Sequence, residues 1–152
     1  MYRGKRIGNV FATAWTGAPT TEDLDAVIRD AKNGYSIAGP LVCLTILTEQ
    51  TEVPSPGIIL QMIARQKELS SYQRSAHFVY IRESASSLSH TLRSNRFRSY
   101  VTQFILAGGG SKLDDANSRV LDALEKALKQ GPLTFPPEEI LRQLKADGFP
   151  VG

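Results

Sequence analysis

Seven consecutive residues, Leu41-Val42-Cys43-Leu44-Thr45-Ile46-Leu47, are apolar or β-branched and show no alternation. So short and uninterrupted a run suits a strand covered on both faces, which requires helices on either side of a sheet. Thr48 to Val53 reads as a polar connection, and Pro54-Ser55-Pro56-Gly57 then opens a second apolar-periodic segment. Ser55 is placed to cap a helix and Pro56 to be its first residue, where the N–H that proline lacks would have no partner in any case. Strand, loop and capped helix in that order put Ser55 at the carboxyl edge of a sheet, where open α/β folds hold their ligands and partners.

The flanking segments fit the same plan. Ile7 to Trp15 reads as an opening strand, with Val10, Ala12 and Ala14 on one face and Phe11, Thr13 and Trp15 on the other. Thr16-Gly17-Ala18-Pro19 is turn chemistry. Thr20 or Thr21 then caps a helix whose first turn holds Glu22 and Asp23, where the macrodipole favours negative charge. Leu24, Val27, Ile28 and Ala31 form its apolar stripe, and Asn33-Gly34 is the expected stop.

Beyond the central strand, the helix from Pro56 is expected to bury Ile59, Met62, Ile63 and Leu69 and to end near Ser70-Ser71. His77 to Ile81 reads as another strand. Ser84 or Ser86 caps a further helix with Leu88, Leu92, Val101, Phe104 and Ile105 inward, and Gly108-Gly109-Gly110-Ser111 is a flexible break. Within Asp114 to Lys129 two readings stay open: a single helix, or a short strand at Arg119-Val120-Leu121 feeding a helix. Glu138 to Ala146 forms a last helix with Ile140, Leu141 and Leu144 on one side. That stripe either covers the sheet of its own chain or pairs two copies across a two-fold axis. The fold class is therefore α/β, a single domain whose sheet of about four strands is covered by helices over residues 1–131, with a C-terminal helical extension over 132–152.

At 152 residues the chain can bury a core without staples. Its one cysteine, Cys43, excludes an internal disulfide and lies in the apolar strand, where it reads as a small buried hydrophobe. No apolar run reaches the roughly 18–20 residues that span a bilayer, and no signal-like apolar core follows the basic start, so a cytoplasmic protein is expected. Catalytic chemistry finds little purchase. His77 and His90, the only histidines, lack metal-ligand spacing, and Gly-x-Ser-x-Gly is absent. The glycine run lacks the Gly-Lys-Ser/Thr of a phosphate-cradling loop. No catalytic residue, metal or cofactor is assigned, and the protein is expected not to be an enzyme.

Charge is uneven. Between Arg65 and Arg98 seven basic residues face two acidic ones, and Arg93, Arg96 and Arg98 are the densest group. They read either as a solvated rim or as a patch for nucleic acid, acidic protein or anionic lipid.

The element order, together with Trp15-Thr16-Gly17-Ala18-Pro19-Thr20-Thr21-Glu22-Asp23, resembles the STAS-like domains, relatives of bacterial anti-sigma-factor antagonists. Small stand-alone bacterial members often read Trp-x-Gly-x-Pro-Thr at the first strand–helix turn. In the antagonists a strand leads into Asp-Ser-x-Gly, whose serine is phosphorylated by a partner kinase. Here Ser55 and Gly57 match that motif, and Pro54 stands where the aspartate would be. The resemblance implies a non-enzymatic regulatory module that binds a protein partner through the loop and helix around Ser55, with Glu52 and Val53 in the same loop. It leaves Ser55 two roles, plain N-cap or phospho-acceptor.

Overall fold

In the computed structural model, which describes residues 1–81 and 117–152, four strands form one sheet in the order β1-β2-β3-β4. The strands are β1 (Tyr2–Ile7), β2 (Val10–Gly17), β3 (Leu41–Thr51) and β4 (Gln73–Ile81). β1 and β2 are antiparallel, whereas β2, β3 and β4 run parallel. Parallel neighbours need crossover connections, and helices supply them: α1 (Thr21–Ala38) joins β2 to β3 and α2 (Pro56–Ser70) joins β3 to β4. Helices α3 (Val120–Gln130) and α4 (Pro137–Ala146) complete the described chain.

The mixed α/β fold expected from the Leu41–Leu47 run is present, and that run is the central strand, buried on both faces. Period-two alternation sorts its neighbours. Val10, Ala12, Val42, Leu44, Ile46 and Val79 face α3 and α4, whereas Phe11, Trp15, Cys43 and Leu47 face α1 and α2.

Several boundaries differ from expectation. The opening strand is two strands, because Gly8 (φ +59°) and Asn9 make a two-residue hairpin turn between Ile7 and Val10. β3 does not end at Leu47; Thr48 pairs with Ile81, and Thr51 with Gly17. α1 runs through Asn33-Gly34 and stops at Gly39, whose positive φ of 74° closes the helix while its N–H donates to the Tyr35 carbonyl. Of the two threonines left open as the cap of α1, Thr20 takes the place: its Oγ1 accepts from the Asp23 amide at 3.2 Å and its amide donates to the Asp23 carboxylate at 3.1 Å. Arg119-Val120-Leu121 is not a strand. Helix α3 starts at Val120, and the residue that bridges to β4 is Asn117, paired with Val79.

The C-terminal helix takes the first of its two expected places. Ile140 and Leu144 are fully buried in the same cluster as Val42, Leu44, Val120 and Leu124, with Leu141 packed against it. The apolar stripe is therefore consumed within its own chain, and residues on both sides of position 131 share one core. The first hairpin latches onto that tail. Lys5 pairs with Asp147, Arg3 donates to the Asp147 carbonyl at 2.6 Å and lies 4.5 Å over the Phe149 ring, and Asn9 Nδ2 donates to Pro132 at 3.0 Å. Among the described residues no helix is long and apolar enough to cross a membrane.

Candidate functional site

The carboxyl edge of the sheet brings together the ends of β2 and β3 and the starts of α1 and α2. Thr51 ties that edge: its hydroxyl donates to the Trp15 carbonyl at 2.6 Å and accepts from the Thr48 amide at 3.1 Å. The Glu52 amide donates to the Gly17 carbonyl at 3.0 Å. Thr21 Oγ1 donates to Gln61 Oε1 at 3.0 Å and links the two helices.

From this fixed point the chain turns outward. Pro54 is buried, whereas Glu52, Val53, Ser55, Pro56 and Gly57 are exposed. Ser55 is the N-cap of α2, accepting from the Ile58 amide at 3.4 Å, and Pro56 follows at the first helical position. The φ of Gly57 is not left-handed, and a Cβ built there meets no atom within 4 Å, so nothing in the fold requires glycine. No acidic side chain stands in the first turn of α2, which leaves the positive end of its dipole without a carboxylate of its own.

α2 is apolar on two sides. Ile58, Ile59, Met62 and Leu69 turn inward against Trp15 and Leu47, yet no residue of the helix is fully buried. Ile63, expected on the inward side, points out at 41% exposure, and Leu60 stands beside it on the helix surface at 68%. Residues 60, 63, 64 and 67 share one face at helical spacing. Reading Leu60 as core-independent needed the inward stripe to be fixed first, because both faces of α2 carry aliphatic residues.

The described basic residues of the Arg65–Arg98 stretch are partly committed to the fold. Arg65 pairs with Asp25 at 2.7 Å and donates to Gln61 at 2.9 Å. Arg74 donates to Pro132 at 2.7 Å and reaches the Ala127 and Gly131 carbonyls, binding the carbonyl end of α3 where a cation is favoured. Arg93, Arg96 and Arg98 lie outside the described residues, as do His90, the segment expected to form a helix after Ser84 or Ser86, and the glycine run.

Cys43 is buried, and that burial pushes its thiol up to about 12, a value at which no useful thiolate forms near neutrality. His77 is buried on the α3 side, with Nε2 3.0 Å from Ser75 Oγ. Burial first, then Lys126 and Arg74, hold its pKa below the ordinary value. Among the described residues no group of three His, Cys, Asp or Glu side chains could hold a metal ion. What the corner offers is a surface: a helix start whose dipole has no carboxylate of its own, next to exposed aliphatic side chains.

No family model, curated protein or solved structure matches this chain.

Proposed function

We propose that this chain is a regulatory interaction module of STAS-like character that binds a protein partner through the Glu52–Gly57 corner and the outer face of α2. One observation carries the reading: Leu60 and Ile63 stand in solvent on the helix that Ser55 caps, and Val53 is exposed at 44% just before that cap. Aliphatic side chains in that position gain by being covered, about 25 cal/mol for each Å² removed from water. The resemblance at Trp15–Asp23 and at Ser55/Gly57 supports the same face. Phosphate on Ser55 would sit at the positive end of the α2 dipole and set negative charge beside the apolar stripe, changing what the stripe can bind.

The test is capture of partners by the intact protein and by a Leu60→Asp/Ile63→Asp variant with the same melting temperature, with Ser55→Asp as a third bait. A specific protein retained by the wild type and lost from the double variant supports the reading. Identical capture by all three baits contradicts it.

A further inference from the structure

Between the sheet and the helices α1 and α2 lies a cavity of about 80 Å³. Strand register explains it. Thr13 stands opposite Thr45 across β2 and β3, and Cys43 lies on the same face two residues before Thr45, so short side chains line the middle of this sheet face. Longer ones rise around them: Trp15 and Phe78 from the sheet, Val27 from α1 and Met62 from α2 all line the space. The long residues hold the helices away from the sheet, and the short ones leave the middle unfilled.

The polar groups in the walls are mostly engaged. Thr13 Oγ1 donates to the Leu44 carbonyl at 3.2 Å and accepts from the Trp15 indole N–H at 3.1 Å. Thr51 bridges Trp15 and Thr48, and Arg65 is held by Asp25 and Gln61. Water entering such a space finds too few partners to be held firmly, whereas an apolar occupant restores the contacts that the lining lacks.

We propose that this cavity is a binding site for a small, uncharged, mostly apolar molecule, a single aromatic ring or a short aliphatic chain, seated between Cys43 and Thr45 on the sheet and Met62 on α2. The thiol, the Thr45 hydroxyl and the Gln66 side chain are the few polar groups left to an occupant, and the lining cation, Arg65, is already paired, which disfavours a carboxylate. Size fixes a second feature. A cavity of roughly 150 Å³ is known to take benzene, so at about 80 Å³ this one admits a ring only when a wall moves. α2, with no fully buried residue, is the wall that gives. The site is distinct from the outer-face docking reading and stands or falls separately.

Toluene is the probe, titrated into the full chain and followed in nitrogen–proton correlation spectra. The expected result is saturable shifts of the indole N–H of Trp15, the only tryptophan in the chain, and of the Thr13, Cys43 and Thr45 amides, with α2 amides moving at the same midpoint. Thr45→Ile and Met62→Phe fill the space from opposite walls, so one remains informative if the other does not fold. Loss of affinity by about tenfold or more in a folded variant supports the site. Absence of saturable shifts at these positions, or wild-type affinity in every folded variant, overturns it.

Discussion

On the sheet face covered by α3 and α4, Leu44, Ile46, Val79, Val120, Leu124, Ile140 and Leu144 are sealed from solvent. Under α2, on the opposite face, Trp15 and Leu47 keep a trace of exposure, and a cavity separates helix from strand. The two faces belong to one sheet and alternate residue by residue along the same strands, so strand propensity does not distinguish them. What differs is the partner. α3 presents Val120, Ala123, Leu124 and Ala127 as one stripe that is wholly buried, with Leu128 left outside, whereas α2 has no fully buried residue and sets Leu60 and Ile63 outward. Free energy for folding is concentrated on the first face. The second has less to lose when its helix shifts, as binding elements generally do.

The largest effect expected from this contrast is at Leu144. Leu144→Ala opens a void in the sealed face and should cost about 2–5 kcal/mol in chemical denaturation. A loss no greater than that of a surface substitution would erase the distinction between the faces. Arg74→Ala comes next, since it strips the carbonyl end of α3 of its guanidinium; we expect a loss of about 1–3 kcal/mol, with Arg74→Lys restoring little because an ammonium cannot fork between carbonyls.

The sealed face also predicts a pH dependence. His77 has its folded pKa below the ordinary value, so the unfolded chain takes up the proton first as pH falls. Stability from this group is complete above about pH 6.5 and declines below it, down to the folded pKa. Denaturation midpoints measured across that window should fall with pH in the wild type and flatten in His77→Gln. Gly57→Ala sharpens the comparison from the loose side. It should raise stability by about 0.5–1 kcal/mol, because the added methyl meets nothing and the helix loses a flexible residue. The smallest effect is expected from Leu60→Asp, within about 0.5 kcal/mol of the wild type by thermal melting.

How much of this was legible in the sequence follows from how local each signal was. The Leu41–Leu47 run and the Ser55-Pro56 helix start depend on a few adjacent residues, and both stand where the pattern put them; the cap of α1 falls on Thr20, one of the two threonines that the pattern left open. The first hairpin was missed because Ile7 to Trp15 reads as one continuous strand; Gly8-Asn9 is itself a turn signal and would have divided it. Gly34 was misread as a stop because a helix end depends on φ, and the glycine with positive φ lies five residues later. Ile63 could not be assigned from spacing, since α2 has aliphatic residues on two sides and only the sheet decides which side is covered. The cavity was out of reach for a related reason: it arises from register between strands distant in sequence.

Amide hydrogen exchange under native conditions tests the contrast most directly. The account predicts that the interior amides of α2, residues 60–70, exchange through a low-energy opening well before those of α3 and α4, which should exchange only with global unfolding. Equal protection of α2 and α3, both at the global limit, would contradict it.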